Sequence, residues 1–355
     1  MPARRTIFNI GVQLYSRASI KLGKTLSSNF TASCLSRVIT HRFHSNAIHC
    51  KIPSITTKNM QTPTQVKCFF DSNATNTCQY IVWDKDTSKA AIIDPVMDFS
   101  LINGNVTFEH ADELLAFVKS NNLDVIYILE THAHADHLTS SQYLKKRLAS
   151  HPPVCIGVGI TQVQTTFKEF YNLDNSFATD GSQFDYLIKD KESLALGSLN
   201  IVALHTPGHT PDHTAYQIGD AVFIGDSLFM PDLGTARCDF PGGSAEQLYN
   251  SIQERYWTLP PSTRVFIGHD YPNGREASWE TTIKEQQSAN KHVNLSVEKS
   301  QFVQMRTTRD ATLSTPKLLH FSLQVNMRAG KFEAVAGSNQ TLMVRYPLRV
   351  PVGSL

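Results

Sequence analysis

Four times in this 355-residue chain an apolar run stops at a short turn carrying histidine or aspartate, and that repetition limits the fold more than any other feature. Val125-Ile126-Tyr127-Ile128-Leu129 leads into Thr131-His132-Ala133-His134-Ala135-Asp136-His137. Leu199-Asn200-Ile201-Val202-Ala203-Leu204 leads into His205-Thr206-Pro207-Gly208-His209-Thr210-Pro211. Ala221-Val222-Phe223-Ile224 ends in Gly225-Asp226-Ser227, and Val265-Phe266-Ile267 ends in Gly268-His269-Asp270-Tyr271. Buried strands of a layered α/β domain end along a common edge, so turns far apart in sequence meet there and can project side chains into one small volume.

The first turn carries three imidazoles and a carboxylate within the six residues 132–137. A single histidine in such a place reads equally well as a solvated loop residue or a hydrogen-bonded core residue. Four ligand-type side chains behind one strand read as a metal loop, because a divalent ion needs several N or O donors converging from a short segment. Pro207-Gly208 forces the turn presenting His209, and Gly225 frees the backbone before Asp226.

These motifs resemble those of the metallo-β-lactamase superfamily: His-x-His-x-Asp-His, then a Gly-His turn, a Gly-Asp turn and a final Gly-His. Within it the chain is similar to the persulfide dioxygenases (sulfur dioxygenases) and to the β-lactamase-hydrolase-like proteins. The residues carrying that closer likeness are Ile93-Asp94-Pro95-Val96, Thr206-Pro207-Gly208-His209-Thr210, Gly225-Asp226-Ser227-Leu228-Phe229, Gly234-Thr235-Ala236-Arg237-Cys238-Asp239-Phe240, Gly268-His269-Asp270-Tyr271 and Val325-Asn326-Met327-Arg328.

The resemblance implies a four-layer αβ/βα sandwich with a metal at its open edge. It implies one ferrous ion held by His132, His209 and Asp226, a set of two imidazoles and one carboxylate that leaves positions open for oxygen chemistry. His134, Asp136, His137 and His269 are then groups around the ligands, or alternatively the ligands of a second metal in a site holding two zinc ions. Asp270 and Tyr271 are expected to touch substrate or metal-bound water, and Asp94 to fix the loop beneath the metal. Arg237, and after it Arg328, are the expected anchors for a carboxylate, since a guanidinium forks onto one. The implied activity is oxidation of glutathione persulfide with oxygen and water to sulfite and glutathione, in hydrogen sulfide catabolism. The alternative is a glyoxalase II-like thioester hydrolase using two metals. The resemblance leaves a homodimer open; neither nucleic acid nor membrane is an expected partner.

Charge is distributed unevenly. The formal net charge is +2, yet no acidic residue precedes Asp71, and ten of the 33 basic residues lie before it. The remaining 23 face 31 acidic ones, a balance of −8. A basic, acid-free, Ser/Thr-rich start with scattered Ile, Leu and Phe has the composition of a mitochondrial transit peptide, with cleavage expected between Arg42 and Lys51. A basic nucleic-acid-binding arm is the competing reading. The expected organisation is a transit peptide over 1–50, a linker over 51–65, the catalytic domain over 66–330 and a tail over 331–355, and the expected address is the mitochondrial matrix. The six cysteines form no Cys-x-x-Cys pair and suggest neither a zinc ribbon nor a disulfide scaffold. Cys155 reads as core, and Cys238 as an unreactive residue despite its place beside Arg237.

Between the motifs, Cys78–Val82 and Ala90–Ile93 are predicted to pair as strands around Asp84-Lys85-Asp86. Helices are predicted over 108–120, 140–148 and 244–259, the last stopped by Pro260-Pro261. Lys145, Lys146 and Arg147 read as a solvated helix face. Beyond about Leu313 the pattern is uninformative.

Overall fold

A computed structural model of the chain describes residues 63–72, 74–332 and 343–347. The expected transit peptide, nearly all of the linker and most of the tail lie outside the described residues.

Strands β1 (Gln65–Phe70), β2 (Cys78–Trp83) and β3 (Lys89–Ile93) form an antiparallel meander. The β2–β3 turn is tied by Asp84, which accepts from the Asp86 amide at 3.1 Å and the Thr87 hydroxyl at 2.7 Å. The short strands β4 (Val96–Phe99) and β5 (Val106–Thr107) pair with each other, and helix α1 (Glu109–Ser120) returns the chain to β6 (Asp124–Leu129), parallel to β3. Strand β7 (Leu138–Thr139) pairs with β4; helix α2 (Ser141–Arg147), strand β8 (Val154–Gly157), helix α3 (Ile160–Phe170) and strand β9 (Tyr186–Ile188) complete the half. The first sheet runs β1-β2-β3-β6-β8-β9.

The second half opens with a meander of β10 (Ser193–Leu196), β11 (Leu199–His205), β12 (Thr214–Ile218) and β13 (Ala221–Phe223). Helix α4 (Ala245–Ser251) then leads to β14 (Arg264–Phe266), parallel to β13, and β15 (Glu280–Thr282), followed by α5 (Ile283–Ala289), α6 (Lys299–Asp310) and α7 (Leu319–Asn326). The second sheet runs in simple sequence order from β10 to β15.

Alternation along the strands explains the layers, since successive side chains of a strand point to opposite faces. Ile81, Ala90 and Ile92 pack with Leu114, Leu144 and Phe167 of α1–α3. Their neighbours Tyr80, Val82, Ala91 and Ile93 pack instead with Ile201, Tyr216, Phe223 and Phe266 of the second sheet. Tyr80 meets Phe223 and Phe266 edge-on, at ring separations of 5.2 and 5.5 Å. The outer face of the second sheet is covered by Leu248, Ile252, Tyr256 and Phe302 from the helices after β13. This is the four-layer αβ/βα sandwich expected.

Two readings of the elements are corrected. The predicted 244–259 helix holds α-helical hydrogen bonding only to Ser251 and then widens to a π-helical turn over Ile252–Tyr256. That turn places the Tyr256 hydroxyl 2.8 Å from Ser227 Oγ, beside the Gly-Asp turn. Beyond Leu313, where the sequence is uninformative, α7 forms; its Ser322, Leu323 and Val325 are buried. The basic residues of α2 are engaged as well as solvated: Lys145 pairs with Asp185 at 2.6 Å, and the Arg147 guanidinium lies 3.4 Å from the Tyr143 ring centre.

Candidate metal centre

The turns after β6, β11, β13 and β14 converge at one edge. Gly208, at φ +145°, makes the second of these turns possible, because a Cβ there would lie 2.4 Å from the Leu248 backbone. Gly268 permits the closest approach, since its Cβ would stand 2.3 Å from Asp226 Oδ1.

The ligand-type atoms of His132, His209 and Asp226 lie within 4.8 Å of one another. Their surroundings fix the tautomers. His209 Nδ1 is 2.6 Å from the Arg237 carbonyl, which can only accept, so Nδ1 carries the proton and Nε2 keeps its lone pair. The Thr131 hydroxyl donates to Asp94 Oδ2 at 2.8 Å, so its oxygen accepts from His132 Nδ1 at 3.0 Å. His132 Nε2 and Asp226 Oδ1 are then buried without a partner. Buried polar atoms are normally paired, and orphaned acceptors aimed at a common point are what a cation satisfies. Burial first, and the neighbouring imidazoles second, hold His132 well below the usual histidine range, so it stays neutral and able to donate its lone pair.

A second group, His134, Asp136 and His137, also brings its ligand-type atoms within 4.8 Å. His137 Nδ1 faces the Leu138 carbonyl at 3.4 Å, Nε2 is unpartnered, and burial lowers its pKa to about 3. His134 differs. Its Nε2 lies 3.1 Å from Asp94 Oδ1 and 3.6 Å from Glu130 Oε2, and these carboxylates raise its pKa well above normal although burial opposes them. Asp94 in turn is held low, against the effect of burial, by His134 and by the Thr131 bonds. His269 sits between the groups: Nδ1 faces the Asn76 carbonyl at 3.2 Å, while Nε2 lies 3.2 Å from Asp136 and 3.5 Å from Asp226.

The loop itself is clamped from three directions. Asp94 Oδ1 accepts the Thr131 amide at 2.7 Å, Asp212 accepts the Ala133 amide at 2.8 Å, and Asn326 donates to the carbonyls of His134 and His137 at 2.8 and 2.7 Å. Both Asp94 carboxylate oxygens thus accept from Thr131 at the head of the loop. Asn326, Asp212 and Glu130 were missed as parts of the site by sequence reasoning, as was His213. His213 Nε2 accepts the Asp226 amide at 3.1 Å, and its ring stacks on His132 at 5.0 Å. The available signal for His213 was a second histidine four residues after His209; for Asn326 it was the Val325–Arg328 motif, whose arginine drew the attention instead.

The other expected site residues separate. Tyr271 stacks on His269, ring centres 5.8 Å apart, and lines a cleft of about 510 Å³ with Asp136, His209, Asp226 and Arg237. Asp270 is corrected: it is fully buried, its carboxylate accepts from Arg275 at 2.7 Å and from the Ser278 amide at 2.8 Å, and it is not among the residues lining the cleft. Arg328 is corrected likewise. Its guanidinium rests over Phe177 at 4.6 Å and donates to the Gln324 carbonyl, beside a separate hollow of about 110 Å³. Arg237 does line the cleft, but both faces of its fork bind Asp239 at 2.6 Å, and a third N–H donates to the Ser314 carbonyl at 2.8 Å. It is not a free anchor. Cys238 is buried, and that burial pushes its thiol up to about 12, away from the thiolate form. The four described cysteines are free.

Residues 76–269 match the family model described as the metallo-beta-lactamase superfamily. A protein of Dictyostelium discoideum named Glyoxylase B2 is 49% identical over 257 residues, 72% of this chain and 87% of its own length. The mitochondrial persulfide dioxygenase ETHE1 of Bos taurus is 31% identical over 256 residues, 72% of this chain and 84% of its own. The crystal structure of ETHE1 from Myxococcus xanthus superposes with a TM-score of 0.59 at 30% identity, covering 75% of this chain and all of that one.

Proposed function

The chain belongs to the metallo-β-lactamase superfamily, and from that premise we propose that it is a persulfide dioxygenase acting at one iron held by His132, His209 and Asp226. The observation that carries this reading is the state of His134. In a site for two metals that imidazole is wanted as a ligand, whereas here its Nε2 faces the carboxylates of Asp94 at 3.1 Å and Glu130 at 3.6 Å. What remains intact is a set of two imidazoles and one carboxylate on one face, the donor set suited to ferrous iron with open positions. The likeness to persulfide dioxygenases at about 30% identity supports the same class of reaction.

The overall reaction joins glutathione persulfide, oxygen and water to give glutathione and sulfite, with release of two protons. The terminal sulfur gives up four electrons and dioxygen takes them. Ferrous iron, when bound, supplies the electron transfer that lets dioxygen react with a closed-shell sulfur anion. The protein's part is orientation and charge. The Arg237 carbonyl and the Thr131–Asp94 pair hold His209 and His132 by their Nδ1–H groups, and Asp226 contributes the negative charge. Phe229, Leu233 and Tyr271 line the cleft and keep much of its wall apolar, which limits water around the reacting sulfur.

A second reading rests on the second cluster. His134 still offers Nδ1, and with Asp136 and His137 it forms a group able to hold another cation. Two metals would make the chain a thioester hydrolase of the glyoxalase II kind, in keeping with the name of the 49% identical relative. Oxygen consumption separates the two. A dioxygenase draws oxygen in step with glutathione persulfide and releases sulfite; a hydrolase cleaves S-lactoylglutathione under nitrogen and draws none. Rapid anaerobic cleavage with no oxygen uptake would replace the first reading by the second. We further place the protein in the mitochondrial matrix, on the acid-free composition of its first 70 residues. A reporter carrying residues 1–60 that stays in the cytosol would remove that assignment.

A further inference from the structure

The lining of the cleft beside His209 and Asp226 carries both acidic and basic groups. The carboxylates are Asp226 and Asp136, the latter pulled low by His269 and His137 against the effect of burial. The basic lining residues include Lys291, just past α5, and Arg309, in the last turn of α6. Both are exposed, and among the described residues neither side chain has a hydrogen bond or an ion pair. The wall's other two guanidiniums are spent, Arg306 on Asp310 and Arg237 on Asp239.

Unpaired surface cations usually form no more than a solvated face. Here a second observation shows them concentrated. His292, on the same wall, has its pKa lowered to about 4, by burial first and then by the positive charges of Arg306, Lys291 and Arg309 acting together. The carboxylates near these three cations are Asp310, paired with Arg306, and Asp232, paired with Arg275, so Lys291 and Arg309 remain as surplus positive charge on a concave surface. Apolar side chains such as Phe229, Leu233 and Leu313 lie on the walls of the same cleft.

We infer that Lys291 and Arg309 form an anion-binding part of the cleft lining, selecting thiol-derived substrates that carry a carboxylate remote from the reacting sulfur. The inference rests on the reading of the metal centre as the reacting site, and it moves the carboxylate anchor from Arg237 to two residues with no other work. Charge at that distance from the sulfur contributes equally to substrate and transition state, so it acts on KM rather than on kcat.

The test uses the metal-loaded full chain with the double variant Lys291→Ala/Arg309→Ala. KM for glutathione persulfide should rise roughly tenfold with kcat little changed, as loss of charge-assisted contacts to a carboxylate requires. KM for 2-mercaptoethanol persulfide, which has no carboxylate, should stay where it is. Lys291→Arg/Arg309→Lys, which keeps both charges, should restore the low KM. Calorimetry with S-methylglutathione, which cannot react, should show the same roughly tenfold loss of affinity in the double alanine variant. The proposal is overturned if the wild type does not bind S-methylglutathione, if the double variant binds it as the wild type does, or if both persulfides lose affinity alike. Should the wild type bind it yet draw no oxygen with persulfide, the dioxygenase reading fails while the calorimetry still decides the subsite.

Discussion

The two ligand-forming clusters of this molecule are built from similar side chains and differ in what stands behind them. His132, His209 and Asp226 come from three separate turns, and each imidazole has its Nδ1–H tied down by an oxygen that can only accept or is already donating elsewhere. His134, Asp136 and His137 come from one four-residue stretch, and one of the three faces two buried carboxylates that raise its pKa against the effect of burial. The first cluster is an assembly with its lone pairs aimed inward. The second is partly an ion pair of the fold. The lesson is that ligand-type residues in a motif become ligands only where the surrounding acceptors leave the right nitrogen free.

That contrast can be broken by experiment. Asp94→Ala should cause the largest loss, about 3 kcal/mol of stability even in metal-free protein, because it removes a buried ion-pair partner of His134 and unties Thr131. Denaturant unfolding with and without chelator checks this; a loss seen only when metal is present would make Asp94 a servant of the metal instead. Asp226→Ala should behave in the opposite sense, leaving metal-free stability nearly unchanged while weakening metal binding more than about a hundredfold, beyond what loss of a supporting group costs. Competition against a chelator measures it. Asn326→Ala should cost about 1–3 kcal/mol by leaving the His134 and His137 carbonyls unpaired, with a smaller loss of metal affinity. Asp136→Ala should be mildest, keeping most of the metal; if it empties the site, the second cluster is a true ligand set and the contrast drawn above collapses.

The sequence was legible where chemistry repeats at strand ends. All four turns could be read from apolar runs and from Pro207-Gly208, Gly225 and Gly268, because a strand that must stop at a tight turn shows it in residue type; the four-layer architecture came from the family resemblance of those motifs. Roles that depend on which partner a side chain settles on were not legible, even where that partner is close in sequence. Asp270 and Arg237 carry the right chemistry in the right turns, but Arg275 and Asp239 consume it, and no spacing rule foretells which acceptor a guanidinium finds. Helix α7 was invisible because three of its eight residues are polar and yet buried, including Asn326, whose side chain is satisfied only by the metal loop 190 or so residues upstream. The same reasoning hid the unpaired Lys291 and Arg309: being free is a property of the surroundings and leaves no mark on the residue.

The central claim is that this fold prepares one metal position and spends the other on its own ion pair. Elemental analysis of protein purified without added metal tests it most directly. The account predicts about one iron per chain and little zinc, as two imidazoles and one carboxylate with open positions favour. About two zinc ions per chain would contradict it, and would mean that His134 releases Asp94 to serve a second metal.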